Sequence, residues 1–236
     1  MTKALYLDDS YLKEFDAEVV SVKDDKFVVL DRSAFYPNSG GQPWDEGVIK
    51  TDSDEFKVVF VGKFGGDISH EVDKPGLKKG DKVHCVLDWE RRYRLMRMHT
   101  AAHIVSATVH NETGALITGN QLSLEKTRID YNLDDFDREK MVDYLKMANE
   151  ALKRNLPVKF SYLPRAEALK DPTLVKLANA LPPDVEELRI IEIGDVDRQA
   201  DGGTHVRNTS EVGELEFIKL DNKGKNNRRM YYTLKN

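Results

Sequence analysis

The sequence predicts an α+β protein: a small N-terminal antiparallel β-barrel over residues 1–87, then an α/β two-layer domain over residues 88–236. Three observations carry that prediction. Short β-rich runs separated by turn residues fill the first part; the hydrophobic period lengthens to that of a helix at Asp88; and helical and strand patterns interleave from there to the C-terminus.

In the barrel the runs are Ala17 to Val22, Phe27 to Leu30, Gly47 to Lys50, Phe56 to Val61 and Val83 to Leu87. Asp24-Asp25 separates the first two, Gly65-Gly66-Asp67 follows the fourth, and Pro75-Gly76 with Gly80 precedes the fifth. These residues suit turn backbone. Asp88 can cap a helix that begins at Trp89 and is stopped by Asn111 or Gly114. At ~100° per residue, Leu95, Met98, Ala102, Val105 and Val109 share one arc of it, so the helix is expected to face a core there with His99 and His103 at the edge. A strand pair, Leu116 to Leu124 and Thr127 to Asn132, comes next. A second amphipathic helix runs from about Asp135 to Arg154, with Met141, Tyr144, Leu145, Ala148 and Leu152 at helical spacing, and Pro157 prevents its continuation. A strand at Val158 to Leu163, a short helix at Arg165 to Leu177, a Pro182-Pro183 break and a strand at Leu188 to Ile193 follow. Glu214 to Leu220 and Arg229 to Leu234 form a hairpin around a basic turn containing Gly224.

Composition narrows the class. With 40% hydrophobic and 33% charged residues and no apolar run near the ~20 residues that span a bilayer, the chain is neither a helical membrane protein nor a disordered one. The N-terminus has no charged stretch followed by an apolar segment, and one cysteine, Cys85, cannot close an internal disulfide; both point to a reducing cytoplasm. A net charge of -5 argues against coating nucleic acid non-specifically. The charge is uneven, however: residues 1–87 carry 17 acidic and 12 basic side chains, and residues 88–236 carry 24 of each. Basic residues bunch at Arg91, Arg92, Arg94 and Arg97 and again at Lys223, Lys225, Arg228 and Arg229.

His99-Thr-Ala-Ala-His103 places two imidazoles one helical turn apart, close enough to reach one ion. Thr100 stands where a metalloprotease would carry its glutamate base, which disfavours that mechanism. About a hundred residues later comes Gln199-Ala-Asp201-Gly202-Gly203-Thr204-His205, whose glycines suit a tight loop. Two imidazoles from a helix plus Asp201 and His205 from a loop make four donors, enough for a tetrahedral zinc site or for three ligands with an open position. On spacing alone the packing reading, an ordinary Asp-Gly-Gly turn and a core histidine, stands equally well.

An HxxxH pair followed at this distance by a GGTH loop resembles the editing domain of alanyl-tRNA synthetase. Given the length and the lack of a synthetase catalytic domain, it also resembles the free-standing alanyl-tRNA editing proteins of the AlaX type. Ser33 to Gly47, with its Gly40-Gly41-Gln42 segment, is similar to the family's aromatic, glycine-rich stretch. Glu192 to Asp197 and Lys223 to Arg229 extend the likeness almost to the C-terminus, and the N-terminal barrel is that of the medium-length members. In one place the chain departs: the synthetase pattern has cysteine where Asp201 stands. A carboxylate is a harder ligand than thiolate, so the site is expected to bind metal with looser selectivity; alternatively, Asp201 acts as a base or binds the substrate's amino group.

The resemblance implies a zinc-dependent aminoacyl-tRNA hydrolase that removes serine from mischarged tRNA for alanine. One zinc ion per chain would be held by His99, His103, Asp201 and His205. Thr118 stands about where the family carries a hydroxyl that recognises the serine side chain, with Gln42 in reserve for the same catalytic role. Gly40, Gly41, Gly202, Gly203 and Thr204 would approach the substrate, while Arg91, Arg92, Lys223, Lys225, Arg228 and Arg229 would contact tRNA phosphates. A monomer is favoured. The alternatives are editing of another mischarged tRNA, as in threonyl-tRNA synthetase, a tRNA-binding module that has lost hydrolysis, and an unrelated zinc hydrolase of small esters.

Overall fold

The computed structural model describes residues 1–135, 137–171, 174 and 185–235. The fold is mixed α+β, and the chain divides into two compact units, Met1–Leu95 and Met96–Asn236.

The first unit is a closed antiparallel barrel. A two-residue strand β1 (Lys3–Ala4) pairs in parallel with β4 (Arg32–Ser33) beside it. The barrel strands are β2 (Glu14–Lys23), β3 (Phe27–Leu30), β5 (Gly47–Lys50), β6 (Glu55–Phe64), β7 (Asp67–Val72) and β8 (Lys82–Leu87), in the order β2-β3-β7-β6-β5-β8. Register explains the core: Cys85 on β8 stands opposite both Phe15 and Ile49, so Val83, Cys85 and Leu87 point inward with them. Between β2 and β3, Asp24 and Asp25 both adopt left-handed φ, 51° and 57°, and the Lys26 N–H closes the tight turn on the Lys23 carbonyl at 3.2 Å.

Strand β7 is absent from the sequence reading. Its inward positions are Ile68, His70 and Val72, and a histidine in an inward position breaks the apolar alternation that announces a strand. His70 is fully buried because its polar atoms are satisfied at a distance: Nδ1 donates to the Val28 carbonyl at 3.0 Å, and Nε2 meets the Ser33 hydroxyl at 2.8 Å. Burial pushes its pKa down to about 4.

The second unit contains most of α1 (Trp89–Thr113), which starts in the first. Asp88 accepts the Arg91 N–H at 3.1 Å, and Gly114, at φ 72°, ends the helix with its N–H on the His110 carbonyl. Here one expectation is corrected. The helix does not face a core along a single arc, because every residue from Met98 to Val109 is buried. Its small and hydroxylated residues, Thr100, Ala101, Ala107 and Thr108, are among those buried, so it is a central helix rather than a surface one.

Strands β9 (Ile117–Leu122) and β10 (Thr127–Tyr131) join β14 (Leu215–Asn222) and β15 (Arg228–Leu234) in a four-stranded antiparallel sheet of order β14-β15-β10-β9. Helix α2 (Arg138–Lys153) is capped by Asp137, which accepts the Lys140 N–H, and buries Met141, Leu145, Ala148 and Leu152. A second sheet holds β11 (Val158–Pro164), β12 (Glu187–Ile193) and β13 (Asp197–Ala200) in that order. Helix α3 covers Arg165–Ala168; the rest of the helix expected to reach Leu177, and the Pro182-Pro183 break, lie largely outside the described residues. No helix among the described residues is long and apolar enough to cross a membrane.

Candidate metal centre

Helix α1 presents His99 and His103 one turn apart, and the loop after β13 presents Asp201 and His205. The four ligand atoms all lie within 4.8 Å of one another. Asp201 Oδ1 is 3.6 Å from His99 Nε2 and 4.0 Å from His103 Nε2, and Oδ2 is 3.0 Å from His205 Nε2. A tetrahedron with bonds of ~2.0 Å has edges near ~3.3 Å, so these donors need only small shifts to close on one cation.

The backbone permits this convergence at one residue in particular. A Cβ on Gly203 would stand 2.0 Å from His99 Cε1 and 2.3 Å from its Nδ1, so only glycine lets the loop pass the ring. Gly202 has open space around it and carries no such constraint. Arg189 on β12 fastens the loop, its Nη1 donating to the carbonyls of Asp201 at 3.2 Å and Gly203 at 2.9 Å. The Asp201 carboxylate in turn accepts the Gly203 N–H at 2.6 Å.

Electrostatics suits ligation. His99, His103 and His205 are each 5% exposed or less. Burial pushes His99 well below its ordinary value and His205 down to about 4, leaving both neutral at pH 7 with a lone pair to give. Burial opposes ionisation of Asp201, but the neighbouring imidazoles and the contact with His205 hold its carboxyl well below the usual range. His99 and His205 thus offer neutral nitrogens beside an anionic Asp201 oxygen, and His103 adds a third imidazole.

A ring of further side chains stands behind these donors. Asp197 Oδ2 lies 2.8 Å from His103 Nδ1, and Gln199 Nε2 reaches the same oxygen at 3.1 Å. Thr100 Oγ1 lies 3.2 Å from His205 Nδ1 and accepts the Val206 N–H at 3.3 Å. The sequence reading assigned no role to Asp197, Gln199 or Arg189. Asp197 stands four residues before Asp201, but in a strand with no inward apolar partner to signal that its side chain is buried.

The other sequence candidates are dispersed. Gln42, Gly40 and Gly41 belong to the first unit. Gly40 and Gly41 have φ of 58° and 84°, those of a type I′ turn, closed by reciprocal hydrogen bonds between Ser39 and Gln42. Gln42 and Thr204 are fully buried. Thr118 is exposed on β9, next to Gly119, which faces Asp130 across the sheet.

Two of the six cations expected on phosphate are not at the surface. Arg92 is fully buried: its Nε donates to both oxygens of Asp45 at 3.0 Å, and its Nη atoms reach Asp45 and the carbonyls of Ser10 and Ala34. Arg228 is buried among the carbonyls of Asp134, Asp135, Gly224 and Asn227. Backbone oxygens of two turns converge there, and arginine's fork of N–H groups meets several of them at once. Arg229 is held bidentately by Asp130 at 2.7 and 2.8 Å, and Arg91 donates to the Trp44 carbonyl and lies 3.4 Å from Glu46. Lys223 and Lys225 are exposed in the β14–β15 turn.

Comparison with known proteins gives two matching family models: tRNA synthetases class II (A) over residues 5–91, and the threonyl and alanyl tRNA synthetase second additional domain over residues 188–231. An alanyl-tRNA editing protein AlaX-M from Methanosarcina barkeri is 52% identical, with 99% of both chains covered. Another from Saccharolobus solfataricus is 45% identical over 100% of both. The alanine–tRNA ligase of Pyrococcus furiosus is 37% identical over 93% of this chain and 24% of its own.

Proposed function

Because the chain belongs to the family of AlaX-M alanyl-tRNA editing proteins, we propose that it hydrolyses the ester joining serine to tRNA for alanine, using a zinc ion bound by His99, His103, Asp201 and His205. The observation that carries the reading is the convergence of those four donors within 4.8 Å. The need for such an activity follows from a limit on recognition: a pocket shaped for alanine cannot strongly reject a side chain that only adds a hydroxyl, so a second site must remove the error.

In this reading the three imidazoles and the Asp201 carboxylate hold the cation, and Arg189 and Gly203 keep the loop in place behind them. When bound, zinc supplies positive charge that polarises the ester carbonyl or the attacking water. Water adds to the serine carbonyl carbon, the bond to the ribose oxygen breaks, and free serine and uncharged tRNA leave. Thr118 is the candidate partner for the serine hydroxyl, with Gln42 in reserve. Lys223 and Lys225, exposed at the hairpin turn, are the candidate phosphate contacts.

The deciding experiment is deacylation of seryl-tRNA and alanyl-tRNA for alanine, with and without chelator, alongside elemental analysis of the purified protein. Selective loss of the seryl ester that chelator abolishes and zinc restores is the expected result. Chelator-resistant hydrolysis, or protein with no bound metal and full activity, defeats the metal reading. Hydrolysis of both esters at one rate defeats the specificity.

A further inference from the structure

We propose that Asp197 is a positioning residue that fixes His103 in the tautomer protonated on Nδ1, so that its Nε2 lone pair points into the donor cluster. Its purpose rests on the metal reading above; its geometry does not.

The Asp197 side chain is fully buried and lies at the start of β13, a strand whose remaining residues, Arg198, Gln199 and Ala200, are partly or fully exposed. A carboxylate placed there needs donors, and two converge on one of its oxygens: His103 Nδ1 at 2.8 Å and Gln199 Nε2 at 3.1 Å. Gln199 Nε2 also lies 2.7 Å from His103 Nδ1, within hydrogen-bond distance; the anionic oxygen is the stronger acceptor of the two, so both the amide hydrogen and the Nδ1 hydrogen go to Asp197. An ionised carboxylate only accepts, so it selects the imidazole form with hydrogen on Nδ1. A neutral imidazole has one such hydrogen, and Nε2 is therefore left bare. It stands 4.0 Å from Asp201 Oδ1, beyond a hydrogen bond and suited to a shared cation.

His205 shows the contrast. Its Nδ1 meets the Thr100 hydroxyl, which can donate or accept, and the carboxylate within its reach, Asp201, stands at Nε2 instead. Asp197 has a second effect as well. A carboxylate behind an imidazole raises its basicity toward a metal, and here that added negative charge stands in a site whose fourth donor is a carboxylate rather than the softer thiolate of the synthetase pattern.

The test uses Asp197→Ala and Asp197→Asn in the full chain, with far-UV circular dichroism and melting as folding controls. Imidazole nitrogen shifts of the metal-free protein report the His103 tautomer. Competition with a chromophoric chelator gives the Zn2+ affinity, and the absorption of bound Co2+ reports ligand geometry. We expect a pure Nδ1–H signature for His103 in the parent protein and its loss in Asp197→Ala, with Zn2+ affinity falling ~10- to 100-fold and an altered Co2+ spectrum. Asp197→Asn, whose amide can accept or donate, should give mixed tautomers and a smaller loss; it carries the test if the alanine variant does not fold. An unchanged Nδ1–H tautomer in a folded variant overturns the proposal. If the parent binds neither metal, the metal reading fails and the tautomer measurement still decides the role of Asp197.

Discussion

Replacing Arg92 with Met separates a buried anchor from a surface phosphate ligand. Both side chains of the Arg92–Asp45 pair are 0% exposed. Methionine preserves the length of the stem but leaves the Asp45 carboxylate, which still accepts the Tyr36 N–H at 2.6 Å, without its guanidinium, and strips the Ser10 and Ala34 carbonyls of theirs. Breaking a buried pair from one side costs on the order of 3–5 kcal/mol, because the surviving charge is uncompensated. For a chain of this size each kcal/mol moves the melting temperature by ~2–4 °C, so the protein should melt roughly 6–20 °C lower. Adding Asp45→Asn should recover part of the loss, since it removes the stranded charge. Calorimetry measures the shift, and RNA binding across a salt series measures the alternative. A variant that melts within ~2 °C of the parent, yet binds tRNA more weakly with a salt slope smaller by ~1, would show that Arg92 reaches phosphate and that the burial argument is wrong.

Gly203→Ala should abolish stoichiometric metal binding in a folded protein, since its Cβ would overlap the His99 ring at 2.0 Å; full metal occupancy by elemental analysis would contradict this. Lys223→Ala with Lys225→Ala should weaken tRNA binding and lower the salt slope by up to ~2, leaving melting unchanged, and an unaltered slope returns both lysines to the solvated surface. Thr118→Val should slow deacylation of seryl-tRNA by ~10-fold or more, the cost of a hydroxyl left without its partner, while any residual hydrolysis of alanyl-tRNA stays the same; an unchanged ratio of the two rates removes Thr118 from this role. His70, with a pKa of about 4 when folded against 6.5 ordinarily, takes up protons more readily unfolded, so acid favours unfolding. That stability is complete above pH 6.5 and is lost as pH falls toward 4, by about 2–3 kcal/mol at pH 4.5. Urea titrations of the parent and His70→Gln from pH 7 to 4.5 should diverge in slope, and parallel curves would refute the assignment.

What the sequence disclosed and what it withheld divide along the range of the interactions involved. Helix α2 was legible because its apolar spacing and the Pro157 that stops it are local, whereas its cap, Asp137, is known only from the structure. The candidate ligands His99 and His103 were visible because one helical turn is a fixed geometry, and Asp201 to His205 because glycines flag a tight loop. Strand β7 was not, since the residues that justify an inward His70 lie 37 and 42 positions away. Arg92 read as a surface cation for the same reason: its carboxylate partner is 47 residues earlier, and no periodicity marks the pair. Asp197 escaped because one of several aspartates in a polar segment carries no pattern of its own, and it acquires meaning only beside a histidine 94 residues before it.

The donor set has a bearing on oxidation that goes beyond metal affinity. Nitrogen and oxygen ligands cannot form sulfenic acids or disulfides, whereas a thiolate in the same position could climb that ladder and release its ion. The chain's one sulfhydryl, Cys85, is sealed inside the barrel with its ionisation suppressed by burial, so it offers peroxide and alkylating reagents almost no thiolate. With Asp201 in the loop and Cys85 out of reach, the candidate centre is built from chemistry that ordinary oxidants of thiols do not touch, and iodoacetamide or mild peroxide should pass it by.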